Sequence, residues 1–169
     1  IMKNDLTEGR MAFEKQLDIM CAGAFSVSND SDLKWVYFLD GLKDGDNNIA
    51  ALIRCNDMLR QTFADSEHYQ NYSVIMKNEL IFRKSGMVVG DKFFYDNYCT
   101  YQNTDFETWR KQSFESNTWQ LFPLEEIDTG ERTFQAMTFS YPVRNYIQQE
   151  PEANAVVQFL LSKENLEQM

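Results

Sequence analysis

The period of the apolar residues changes once along this chain, and that change limits what it can fold into. From Leu6 to Phe63 apolar residues recur every three or four positions, the spacing of one helix face. From Tyr72 onward they come in short runs or at every second position, the spacing of strands. Helices first and a block of strands afterwards is the pattern of an α+β fold rather than of alternating βα units. The break divides the chain into an N-terminal helical region, 1–71, and a sheet-bearing region, 72–169, read together as one domain. An apolar share of 43% in 169 residues supplies enough material for a single packed core.

Leu6 to Val27 is predicted as one long helix with Leu6, Arg10, Phe13, Leu17, Met20, Ala24 and Val27 inward. Their spacing alternates four and three, a period of about 3.5 residues that keeps one seam against a partner helix. The partner is either the chain's own core or a second copy, and the second option gives a homodimer through residues 6–27. Caps in "SVSNDSDLKW" start another helix near Ser31 or Asp32, burying Leu33, Val36, Tyr37 and Leu39 or Leu42. After "DGLKDGDNN" a third helix turns Ile49, Leu52, Ile53, Asn56, Leu59 and Phe63 inward.

The strand region opens with "YSVIMK" and "LIFRKS", turned at Asn78-Glu79, and "MVVG" follows Gly86. The aromatic segment "FFYDNYCTY" is read as a loop, followed by a short helix capped by Thr104 or Asp105 and carrying Phe106, Trp109 and Phe114. Pro123 makes "WQLFPLEEI" irregular or edge structure. "RTFQAMTFSYPV" alternates as a strand that Pro142 ends or leaves at an edge. "AVVQFLL" is the last strand, and Ser162 to Met169 begin a further helix. The expected sheet is antiparallel, of about five strands, with one short inserted helix.

Charge and motifs exclude several functions. Lys and Arg number 16 against 26 Asp and Glu, a net charge of −10. The densest basic stretch, Lys77 to Lys84, is interrupted by apolar residues and Glu79, so nucleic acid and anionic membranes are not expected partners of this segment. One histidine, His68, and three scattered cysteines leave no metal motif, disulfide framework or triad, and neither an enzyme nor a cofactor is expected. Glu125, Glu126 and Asp128 form an acidic turn rather than an acid–base pair. No run of roughly 20 apolar residues spans a bilayer. The chain opens at Ile1 and closes on an incipient helix, which reads as a piece of a longer protein.

What remains is a grouping of Tyr95, Tyr98, Tyr101, Trp109, Arg110, Tyr141 and Arg144. Arginine clamps carboxylates, and Tyr or Trp walls a pocket while offering a hydrogen bond. The same residues serve equally as core filling and surface ion pairs.

The layout resembles the extracytoplasmic Cache sensor domains of bacteria, whose sheet is PAS-like. It is most similar to the sensor regions of membrane-bound AraC-type transcription regulators and related histidine kinases of Gram-positive bacteria. The residues that carry the likeness are "VIMKNELIFRKSGMVV", "DFETWRKQSF", and "TFQAMTFSYPV" followed by "EANAVVQFLLSKENLEQM". The resemblance implies a ligand-sensing module on the outer face of the membrane, flanked by two transmembrane helices. Its small-molecule site would lie at the Tyr95–Tyr101 loop, Trp109, Arg110 and the Thr138–Tyr141 strand. The amino-acid-binding subgroup spaces its Arg and Trp two apart, whereas Trp109 directly precedes Arg110 here. The rival expectation is a protein–protein interaction module without such a pocket.

Overall fold

The computed structural model describes residues 2–37, 45–64, 69, 71–144 and 150–169. Helix α1 runs over Met2–Ser28 and buries Met20, Ala24 and Val27, with Phe13 and Leu17 partly covered. Arg10 is exposed and pairs along the helix with Glu14 at 2.8 Å, while Gln16 lies on the buried face in its place. Asp30 caps α2 (Ser31–Val36) by accepting the Leu33 N–H at 2.9 Å, and Leu33 and Val36 are buried beneath it. Leu39, Leu42 and His68 lie outside the described residues. Helix α3 (Gly45–Phe63) buries Asn48, Leu52, Cys55, Leu59 and Phe63. Ile49 and Ile53, expected inward, face out, because the buried arc centres on Leu52, Cys55 and Leu59 and leaves them on its flank.

The sheet has seven strands, not about five. These are β1 (Asn71–Met76), β2 (Leu80–Arg83), β3 (Gly86–Val89), β4 (Thr100–Tyr101), β5 (Gln120–Asp128), β6 (Thr133–Val143) and β7 (Ala155–Ser162). Their order is β3-β2-β1-β7-β6-β5-β4, and every neighbouring pair is antiparallel. The strands beyond the expected ones are β4, two residues at the edge inside the segment read as a loop, and β5, whose proline pointed to irregular or edge structure.

Two further expectations change. Residues 91–98 are not loop but helix α4 (Asp91–Tyr98), which buries Phe94 and Tyr95 on one side and pairs Lys92 with Asp96. Its aromatic residues favour strands locally, and burial against the sheet overrides them. "WQLFPLEEI" contributes strand β5, second from the edge. Pro123 and Leu124 together oppose Met137 in a bulge between Phe122 and Glu125, so the missing proline N–H breaks no ladder bond. The bulge turns Phe122, Glu125 and Ile127 to the same face.

The sheet is covered on both sides. Tyr72, Val74, Leu80, Phe82, Phe139, Val157 and Phe159 meet α1, α2 and α3. Ile75, Ile81, Ala136, Val156 and Leu160 point the other way, toward α4 and α5 (Phe106–Glu115), where they meet Phe94, Tyr95, Trp109 and Phe114. Helix α6 (Lys163–Glu167), capped by Ser162, follows β7, and its Leu166 packs on the helical-layer core.

Candidate ligand-binding face

A polar row crosses the inner face of the sheet, the face under α4 and α5. Arg83 on β2 pairs in register with Ser73 on β1, Ser73 with Gln158 on β7, and Gln158 with Ser140 on β6. Gln158 and Ser140 are each 3% exposed. The Gln158 amide donates to Ser113 of α5 at 2.9 Å and to Ser140 at 3.3 Å, so the row is tied to the covering helix. Rows of Ile75, Val156 and Leu160 flank it, and an amide held among apolar neighbours is a directional anchor in a low dielectric. Sequence reasoning passed over this row because none of its members is aromatic and only Arg83 is charged. One signal was available: Gln158 is the one amide in a strand buried at all eight positions.

The row's Arg83 end borders a small internal cavity of about 20 Å³, room for about one water, lined by Ser73, Arg83, Tyr98, Glu131 and Gln158. The Arg83 guanidinium lies 3.9 Å from the centroid of the Tyr98 ring, a cation–π contact. On the far side of α4 a wide open cleft of about 570 Å³ is lined by Lys92, Tyr95, Tyr101, Thr104 and Phe106. Glu125 accepts the Asn103 N–H and the Thr104 hydroxyl, both at 2.9 Å, and so fixes the loop that forms the cleft's rim.

The structure gathers six of the seven predicted residues on this side of the sheet, in different roles. Tyr95 and Tyr101 stack at 6.2 Å and border the open cleft. The Tyr95 hydroxyl donates to the Thr104 carbonyl. Tyr101 bonds Thr138 at 2.8 Å with both side chains buried, and burial pushes its phenol well above the usual tyrosine range. Tyr98 borders the internal cavity. Trp109 is fully buried between Phe94, Tyr95 and Phe106, and its indole N–H has no hydrogen-bond partner among the described residues. Arg110 is held by Asp91 at 2.7 Å and Glu152 at 2.9 Å. Burial opposes its charge, but those two carboxylates outweigh burial and raise its pKa. Tyr141 lies on the opposite face, against the helical-layer core, because three residues after Thr138 the strand points the other way. Arg144 donates to the carbonyls of Phe114, Ser116, Glu150 and Pro151 and fastens the end of α5.

Among the described residues, no group of three His, Cys, Asp or Glu is placed to hold a metal ion, and no helix is long and apolar enough to cross a membrane. The Cys99 thiol, buried beneath this face, is pushed up to about 12 by burial.

No protein-family model matches the sequence, and no curated protein matches it. The fold is similar to the crystal structure of the periplasmic sensory domain of the Campylobacter jejuni chemoreceptor Tlp1, with a TM-score of 0.56 at 12% identity. The likeness covers 96% of this chain and 59% of that one, so the chain spans less than two thirds of the solved domain. At that identity the shared property is the fold alone.

Proposed function

We propose that this chain is an extracytoplasmic sensory domain that binds a small organic molecule between the inner sheet face and the α4–α5 layer. The reading makes it the sensor segment of a transmembrane signal-transduction or transcription-regulatory protein, of the AraC-type or histidine-kinase kind. The observation that carries it is the likeness to a periplasmic sensory domain over 96% of the chain. The buried polar row, which reaches the cavity through Ser73, Arg83 and Gln158, adds hydrogen-bonding capacity on the face where a ligand would sit.

The relay follows from packing. A Cβ built on Gly9 of α1 would stand 3.6 Å from the carbonyl oxygen of Met169, so the end of the chain just past α6 touches α1 near its start. A ligand that moves β7 therefore acts on α6 and α1 together, provided it binds one arrangement better than the other. The reading includes a homodimer through α1. The inward seam of that helix is occupied by its own core, which leaves Met11, Ile19 and Phe25 as the large apolar residues that face a second copy among the described side chains.

A thermal-shift screen against a metabolite library tests the reading. At one hundred times its Kd, a binder adds about 2.7 kcal/mol and raises Tm by several degrees. Gln158→Leu keeps the side-chain volume and removes the amide, so it is expected to abolish the shift for a ligand that uses the row. A library with no binder sinks the sensor and favours an interaction module.

A further inference from the structure

The geometry points to a carboxylate site at the Arg83 end of the polar row, closed in this structure by Glu131. This inference rests on the sensory reading and names the class of ligand. Arg83 is mostly buried, with 16% of its side chain exposed, yet its ion pair among the described residues is a loose one to Glu131 at 3.6 Å. Glu131 is 75% exposed and stands on the turn between β5 and β6. A fork of five donors, one face stacked on Tyr98, is thus met by one distant carboxylate that belongs mostly to solvent. The Ser73 and Gln158 side chains lie beside it in register and border the same cavity.

The cavity, about 20 Å³, admits a water and no metabolite while Glu131 holds the mouth. A carboxylate of the ligand therefore replaces the Glu131 carboxylate on Arg83, in the bidentate geometry that a planar guanidinium favours. The exchange is charge-neutral at the site, because one carboxylate leaves as another arrives. A monoanionic acid fits this exchange because it replaces the single charge that Glu131 withdraws, whereas a phosphate dianion brings a second one and a tetrahedral rather than planar set of oxygens. The site thus takes a small organic acid, and Glu131 is its built-in competitor.

Titrating sodium acetate against sodium chloride at constant ionic strength, followed by amide chemical shifts, tests the assignment. Acetate is expected to move the amides of Ser73, Arg83, Tyr98 and Gln158, and neutral acetamide is not. Arg83→Met is expected to weaken acetate about tenfold or more. Glu131→Gln, on an exposed side chain and harmless to folding, is expected to tighten it roughly threefold by removing the competitor. Acetate shifts no larger than those of chloride, an unchanged affinity in Glu131→Gln, or phosphate binding as well as acetate would each overturn the site. A metabolite that binds in the library screen yet ignores both substitutions removes this site and leaves the sensory reading standing.

Discussion

Tyr101 shows how far a residue's type can be read from sequence and how far it cannot. Tyrosines at 95, 98 and 101 and the tryptophan at 109 announce an aromatic site, and the structure does bring them to one side of the sheet. Their types do not say which are walls and which are core: Trp109 is sealed, whereas Tyr98 borders a cavity. Tyr101 is buried, and burial keeps its phenol protonated far above neutral pH, so its bond to Thr138 persists across the physiological range. Tyr101→Phe leaves the buried Thr138 hydroxyl without that partner and is expected to cost about 1–2 kcal/mol. Urea unfolding measures it, and a variant as stable as the parent would show that the pair contributes nothing net. Gln158 is the opposite case. Its chemistry was visible in the strand, but its worth depends on Ser113, forty-five positions away, and no local pattern joins them.

At the scale of elements, alternation is legible where the ladder is regular and lost where it is not. Strand β6 shows its faces in sequence because Ala136 and Thr138 keep strict register with β7. Strand β5 hides its faces because the Pro123–Leu124 bulge shifts the parity halfway along. Helix α4 hides itself behind strand-favouring aromatics, and long-range packing decides its state. The turn that follows β5 is fitted closely to α4. Gly130, at φ 76, lies so near the helix end that an added Cβ would stand 2.2 Å from the Asn97 carbonyl oxygen. Gly130→Ala therefore meets both a left-handed backbone and a backbone clash, and is expected to cost about 2 kcal/mol or more. Hydrogen exchange should accelerate along residues 91–99 before the rest of the sheet. Uniform acceleration, or none, would mean that the turn does not hold the helix.

At the scale of the whole molecule, α1 has two faces and only one is accounted for by the core. Met20, Ala24 and Val27 are buried beneath the sheet, so removing residues 1–27 would expose the core and unfold the domain whether or not a dimer exists. The outward face is testable without that confusion. Met11 is 63% and Phe25 61% exposed, and in a helix of this length the two lie four turns apart on one side. The 3.5-residue period was visible in the sequence, but whether it served the core or a second copy depended on where the sheet lies. Changing both Met11 and Phe25 to Glu alters only exposed surface, so circular dichroism should be unchanged. Sedimentation equilibrium should then shift from dimer to monomer. Because each copy carries a net charge of −10, the parent dimer should also tighten as salt rises and screens the repulsion. A monomeric parent removes the dimer from the proposal, and a dimer that survives both glutamates moves its interface away from this face of α1. In either outcome the ligand site stands or falls separately, because it lies on the other side of the sheet.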